Sequence, residues 1–192
     1  MRKIFRSVLL LAALALVFSS SVAFGQAAHV RWDILSLTEP PPTVSAGGIA
    51  SAQANDGSTI TLTGSGTFVA PAGGGGTSSA ATGGGTWAIG AVNGTYSVTG
   101  LVRWEEAPGT LPSPPVTDNI GAAVDARSGL AVLRIAYSDG SRGILVVSCE
   151  LPGAPPTVFE GVTASKGFVD FWNRVPPPVP PGNANRTLFH VR

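Results

Sequence analysis

Hydrophobic and polar residues alternate along several short segments of this chain, and a period of two predicts β-strands. Residues 29–37 place Val30, Trp32 and Ile34 on one face. Prolines at 40–42 then end the segment, because proline has no N–H to donate to a sheet ladder. We therefore expect a first strand with one apolar face near residue 29.

Residues 58–69 alternate more regularly, with apolar side chains on one side and hydroxyl side chains on the other. This arrangement is typical of a strand that buries one face. Gly64 and Gly66 fall in line with the apolar side chains. We expect a bend there, or a large side chain from a neighbouring strand beside them.

Turn residues between apolar runs predict antiparallel hairpins. The clearest hairpin joins 129–137 to 143–151 through an Asp-Gly step. Two more are predicted: 86–91 with 95–105, turned at Asn93-Gly94, and 157–163 with 167–173, turned at 164–166. Residues 186–191 (RTLFHV) read as a closing strand.

One short helix or turn is predicted near residues 118–129; a helix there would be capped by Asp118 or Asn119 and ended by Gly129. All other elements are strands between Gly/Pro-rich loops. The fold class is therefore all-β: a single antiparallel barrel or sandwich over residues 26–192, with at most one short helix. The motif His-Val-Arg occurs at both ends, and pairing of the first and last strands would remove exposed sheet edges.

Residues 1–25 have the pattern of a signal peptide. Three basic residues are followed by an apolar run at 8–18 and then by small residues. A run of about 11 residues is shorter than the roughly 20 that span a bilayer as a helix. Cleavage is expected after Gly25, or alternatively after Ala23; an uncleaved anchor is the other interpretation. We expect a secreted protein (periplasmic, cell-surface or extracellular) with no stable membrane anchor after cleavage.

Charge is sparse in this chain. The formal net charge is +1, and three positive charges lie in the leader, so the remainder carries about −2. Charged residues make up 12% of the chain, against about 25% in a typical soluble domain. No basic block is present, which excludes the electrostatic footprint of a nucleic-acid-binding protein. A surface with little charge repulsion favours self-association, although a small neutral exported domain explains it equally well.

Few residues suggest chemistry. The single cysteine, Cys149, rules out an intrachain disulfide, and its apolar surroundings favour a buried, inert thiol. Glu105, Glu160 and Asp170 are the acid–base candidates. Glu160 is also expected to meet Lys166 or Arg174 in an ion pair on a solvated hairpin face.

The two histidines, His29 and His190, are the candidate metal ligands, because pairing of the end strands would bring them together. Two exposed strand-end histidines with no metal are the favoured interpretation, and no cofactor is expected. Four tryptophans would stack on a sugar or another flat ligand if they faced outward, but their apolar neighbours favour core packing. These candidate ligand-binding residues are Trp32, Trp87, Trp104 and Trp172.

The segments HVRWDILSL, GTYSVTGLVRWE, YSDG, TASKGFVDFWNR and ANRTLFHV resemble those of uncharacterised secreted bacterial all-β proteins. This resemblance spans most of the chain after the leader. It implies export and one domain, and no activity is attached to it. More loosely, the repeated Gly-Thr-aromatic strands resemble those of small antiparallel barrels such as the allene oxide cyclase-like group. That likeness implies no site residues.

Two functional hypotheses follow. The first is an exported, non-catalytic module that binds a partner or assembles at the cell surface; its partner would be a small molecule, a glycan or another copy of the chain. The alternative is a small β-barrel enzyme or small-ligand carrier with an aromatic-lined interior pocket. The sequence does not decide whether the protein is an enzyme.

Overall fold

A computed structural model describes residues 27–72, 75–112, 116–178 and 183–192. The predicted signal peptide, residues 1–25, lies outside them. The described residues form an all-β fold of fourteen strands, as predicted. The strands are β1 (Ala28–Thr38), β2 (Thr43–Ala46), β3 (Ala50–Gln53), β4 (Thr59–Leu62), β5 (Ser65–Ala70), β6 (Ala81–Ile89), β7 (Val92–Ala107), β8 (Thr117–Asp118), β9 (Ala126–Tyr137), β10 (Arg142–Cys149), β11 (Gly161–Lys166), β12 (Val169–Phe171), β13 (Asn173–Arg174) and β14 (Arg186–Val191).

Six of these strands close into an antiparallel barrel. Going round the barrel, the order is β1, β5, β6, β7, β9, β14 and back to β1. Closure leaves none of these six strands with a long free edge, which is how barrels avoid edge-to-edge aggregation. The sequence left barrel and sandwich open, and the structure is a barrel.

The first and last strands pair with each other, which confirms the prediction drawn from the two His-Val-Arg motifs. Val30 lies opposite Val191, and Arg31 lies opposite His190. Beyond them His29 and Arg192 exchange two backbone hydrogen bonds of 2.8 and 2.9 Å. The side chains of directly opposed residues share a face, so alternation along this pair separates an interior row from an exterior row.

The barrel interior is filled mainly by aromatic and aliphatic side chains. The Trp104 ring lies 5.5 Å from the Phe68 ring and 4.6 Å from the Phe189 ring, centroid to centroid. Large side chains also occupy the space beside the inward glycines, as predicted. A methyl group on Gly66 would come within 2.8 Å of the Trp32 indole nitrogen, and one on Gly64 within 2.3 Å of the Tyr96 hydroxyl.

The remaining strands extend the sheet on three sides. β10, β11 and β12 continue outward from β9, while β4, β3 and β13 continue from β6. β2 pairs with the end of β1, and the short β8 lies parallel to β2. β3 and β11 contact each other, so the two extensions meet.

Of the two alternatives predicted near 118–129, a short helix or a turn, the structure has a turn. Asp118 belongs to β8, a 3₁₀ turn covers only Ala123–Asp125, and β9 begins at Ala126. Asp118 does accept backbone N–H groups, from Ile120 and Gly121 at 2.8 and 3.0 Å, but no helix follows. The spacing of Ile120 and Val124 was misleading, because Ile120 is half-buried and Val124 is exposed.

The hairpins occur where they were predicted, but two turns are displaced. Gly129 lies opposite Cys149 in the β9–β10 hairpin. The β6–β7 turn is formed by residues 90–91, because Ile89 pairs with Val92, so Asn93-Gly94 lies within β7. The β11–β12 turn is formed by residues 167–168 rather than 164–166.

No helix among the described residues is both long enough and apolar enough to cross a membrane.

Candidate functional site

The outer face of the β1–β14 pair is buried over much of its length. Leu35 and Leu188 on this face are at most 3% exposed, although they point away from the barrel interior. The cover is provided by β2, by Val116, and by the loops at 111–112 and 150–152. Two loops and a short strand, rather than a helix, therefore roof this face.

A cavity of about 450 Å³ remains beneath this roof, and we call it the outer cavity. Its size lies within the range of about 300–1,000 Å³ that is typical of small-molecule sites. Most of its wall is apolar, with four charged side chains. The lining residues are Leu35, Leu37, Glu39, Pro42, Val44, Leu111, Pro112, Val116, Glu150, Leu151, Pro152, Glu160, Arg186, Thr187 and Leu188.

Glu160 is the most buried of the charged side chains in the wall, at 7% exposed. Its Oε2 accepts the Glu150 N–H at 2.7 Å. Its Oε1 accepts the Thr187 N–H at 2.5 Å; the Thr187 hydroxyl lies 3.3 Å from Oε1 and donates to the Ser148 carbonyl oxygen at 2.6 Å. β14 pairs with β9 only at Phe189 and His190, so the carboxylate takes the place of a strand partner for Thr187.

Burial raises the pKa of Glu160 to about 8, although hydrogen bonds from Glu150 and Thr187 and the positive charge of Arg186 oppose this effect. Such a carboxyl group changes its charge close to neutral pH, which is unusual for glutamate. The predicted ion pair with Lys166 or Arg174 does not occur. Lys166 pairs with Asp139, and Arg174 lies over the Phe159 ring.

Arg186 lies in the same cavity wall. Its Nε is buried and has no hydrogen-bond partner among the described residues. Within that part of the chain neither Arg186 nor any of the three glutamates in the wall forms an ion pair. The outer cavity therefore combines an apolar wall with four ionisable side chains that form no ion pair among the described residues.

The other two acidic candidates are not in this cavity. Glu105 is half-exposed and accepts a hydrogen bond from Arg103 at 2.9 Å. Asp170 is exposed on β12. The structure therefore does not bring Glu105, Glu160 and Asp170 together into one acid–base site.

Both histidines line a second cavity, of about 380 Å³, on the outer face near the chain ends. His29 is exposed, whereas His190 is 2% exposed and its Nε2 lies 2.7 Å from Asp118 Oδ2. The described residues contain no group of three or more side chains able to hold a metal ion. The end strands thus bring both histidines to one cavity, but the expectation of two exposed histidines is wrong for His190, which is buried against Asp118.

Two basic side chains of this second cavity, Arg31 and His190, each contact a buried carboxylate: Asp33 and Asp118, respectively. Arg31 donates two hydrogen bonds to Asp33, at 2.8 and 2.9 Å. Burial raises the pKa of Asp33, and the Arg31 guanidinium offsets part of the rise. Burial of Asp118 acts in the same direction, but hydrogen bonds from His190, Gly121 and Ile120 bring its pKa below the usual value.

The four tryptophans divide into three buried and one exposed. Trp32, Trp87 and Trp104 are at most 3% exposed, and Trp172 is 52% exposed. Neither of the two cavities is lined by a tryptophan. Core packing, the interpretation favoured from the sequence, accounts for the three buried ones.

Cys149 is fully buried. Burial raises the pKa of its thiol well above the usual value, and the nearby Glu160 acts in the same direction. This agrees with the inert, space-filling thiol expected from the sequence.

Sequence reasoning missed most of the outer cavity. Glu160 was a candidate, but Arg186 and the apolar wall were not recognised. The wall combines residues from 35–44, 111–112, 150–160 and 186–188 with Val116. The only local signal was the proline content of these loops, which indicates a surface crossing but no pocket.

Comparison of this chain with protein-family models, curated proteins and solved structures found no match.

Proposed function

We propose that this protein is a non-catalytic binding module that holds a small, largely apolar molecule in the outer cavity. The observation that carries the proposal is the combination of an apolar wall with the buried Glu160 carboxyl group in a space of about 450 Å³. Sites for small molecules are mostly apolar and contain a few placed polar groups. The separation of Glu160 from Glu105 and Asp170 favours binding over acid–base catalysis.

The experiment is a titration of the chain from Gln26 with N-phenyl-1-naphthylamine, a neutral dye that fluoresces in apolar surroundings. Displacement by 1-octanol then reports on non-fluorescent ligands. We expect saturable, one-to-one binding. Leu37→Trp and Leu111→Trp place an indole in the cavity and should each weaken dye binding at least tenfold.

The matched control is Val92→Trp, which adds the same side chain at an exposed position in β7, outside the outer cavity. It should bind the dye like the unaltered protein. Equal affinity in all three variants, with their circular dichroism unchanged, would place the dye elsewhere and remove the outer cavity as the binding site.

Self-association is a second candidate function, favoured by one surface patch. Phe168 is fully exposed at the β11–β12 turn, and Val169 and Trp172 nearby are also exposed. β12 is at the end of the strand order, and such a strand can pair with a second copy. Light scattering on size-exclusion fractions should then show particles that Phe168→Ser together with Trp172→Ser reduces to monomers; a monomer before substitution would reject this candidate.

We also propose that the protein is exported, on the basis of the leader pattern in residues 1–25. Cell fractionation and N-terminal sequencing test this. Mature protein beginning at Gln26 or Phe24 outside the cytoplasm supports it, and full-length protein in the cytosol contradicts it.

A further inference from the structure

The outer cavity has an imbalance of charge that bears on the kind of molecule it accepts. Glu39, Glu150 and Glu160 line it against a single positive side chain, Arg186. Glu39 and Glu150 are exposed, so water screens them; Glu160 is 7% exposed and is screened much less. Glu160 is therefore the carboxyl group of this wall that water screens least.

Among the described residues, the hydrogen bonds that Glu160 accepts come from neutral groups. The donors are the backbone N–H groups of Glu150 and Thr187. These bonds stabilise a negative charge without neutralising it. Arg186 lies near enough to influence Glu160 but forms no ion pair with it among the described residues.

A buried carboxylate without a cation in contact bears a desolvation cost that a bound cation would offset. Much of the rest of the wall is aliphatic, including Leu35, Leu37, Val44, Leu151 and Leu188, and suits a hydrocarbon chain. We propose that the ligand of the outer cavity is an amphiphilic amine, whose ammonium group pairs with Glu160 and whose hydrocarbon part lies against this wall. This inference rests on the proposed function and names the ligand class of the same site.

The pairing would couple binding to the release of a proton. With a pKa of about 8, free Glu160 is mostly protonated at pH 7, whereas the pair requires the carboxylate. An alkylammonium group with a pKa near that of lysine, about 10.4, stays charged up to pH 9. Other titratable groups near Glu160 are Arg186, Glu150, Glu39 and Cys149; burial raises the pKa of the Cys149 thiol well above its usual value.

The test compares three probes with the same chain length: n-octylamine, 1-octanol and octanoate, each displacing the naphthylamine dye at pH 6 and pH 9. At pH 9 we expect octylamine to bind at least tenfold more tightly than 1-octanol, and octanoate to bind most weakly. Octylamine affinity should rise by up to about 100-fold from pH 6 to pH 9, following the ionised fraction of Glu160.

Glu160→Gln should remove both the preference for octylamine and its dependence on pH, while 1-octanol binding stays within about threefold. Glu105→Gln and Asp170→Asn are the controls, since each removes an exposed carboxylate outside the outer cavity; both should keep the preference. Calorimetry of the unaltered protein in two buffers of different ionisation enthalpy provides a measurement without substitution, with about 0.9 protons released per octylamine bound at pH 7.

The outcomes separate the two proposals. If none of the probes binds, the proposed function is wrong. If 1-octanol and octylamine bind equally at pH 9 with no proton release, the cavity binds apolar molecules and the amine inference is wrong. If octanoate binds most tightly, Arg186 rather than Glu160 selects the ligand, and the amine inference is again overturned.

Discussion

The interior of the barrel and the outer face of β1–β14 are both buried, yet they are built differently. Inside, Trp32, Phe68, Trp104 and Phe189 pack together. Outside, under the loops, the buried set includes Asp33, Glu160 and His190, and cavities remain.

The difference follows from how each region is closed. A ring of six strands pairs its own backbone groups, so its interior needs only apolar side chains. The outer face is covered by irregular segments whose backbone groups lack ladder partners. Carboxylates provide some of those partners: Glu160 accepts the N–H group of Glu150, and Asp118 accepts those of Ile120 and Gly121. Because irregular segments cover the outer face of β1–β14, ionisable side chains and cavities occur in this buried layer.

The largest expected effect is a pH dependence of the free energy of unfolding, which arises from Glu160 on the outer face. Because the pKa of Glu160 rises from 4.5 to about 8 on folding, the folded state binds the proton more tightly than the unfolded state. The free energy of unfolding therefore includes a contribution that is complete below about pH 4.5 and is lost as pH rises to about 8. The limit is about 5 kcal/mol, at about 1.4 kcal/mol per pH unit. Urea denaturation at several pH values measures it.

Glu160→Gln should flatten this part of the pH profile, and Glu150→Gln, which alters an exposed carboxylate, should leave it as it is. A Glu160→Gln protein with the same pH slope as the unaltered one would mean that Glu160 is already ionised in the folded state at neutral pH.

The second prediction concerns the interior. Trp104→Ala removes a side chain that contacts Phe68 and Phe189 and leaves a cavity, so we expect a loss of about 3–5 kcal/mol in the free energy of unfolding. Trp172→Ala makes the same substitution at an exposed site and should cost less than about 1 kcal/mol. Similar losses for the two variants would contradict a packed aromatic interior.

The smallest expected effect on stability compares a buried carboxylate contact with a more exposed one on the outer face. Asp118→Asn weakens the buried contact with His190 and should cost about 1–3 kcal/mol. Asp125→Asn weakens the more exposed contact with Arg192 and should cost less than about 1 kcal/mol. Denaturation of the two variants at pH 6 measures both losses in the free energy of unfolding. A larger loss for Asp125→Asn would contradict the assignment of the Asp118–His190 contact as the more stabilising one.

The strands were predictable where short apolar runs are bounded by turn residues. Residues 186–191 and the 129–151 hairpin follow this rule, and their bounds agree closely with β14, β9 and β10. The helix alternative at 118–129 failed because Asp118 is held by His190, which is 72 residues away. A local cap signal looks the same whether the side chain serves a helix or a distant strand.

The site was less predictable than the fold. Glu160 was recognised as an acidic candidate, but it was assigned to a solvated hairpin face, because nothing near residue 160 indicates contact with Thr187. The roof over Glu160 comes from loops whose prolines specify turns rather than partners. Long-range pairing of β1 with β14 decides which loops meet there, and only the terminal His-Val-Arg motifs hinted at that pairing.

The pairing of β1 with β14 also limits the order in which this protein can fold. A chain that emerges from a ribosome or a translocation channel with its N-terminus first presents β1 early and β14 last. Until residues 186–191 have emerged, β1 and β9 each lack a barrel neighbour, and Glu160 lacks Thr187. Contacts of such large sequence separation form slowly. The barrel and the outer cavity are therefore completed together, in the last step.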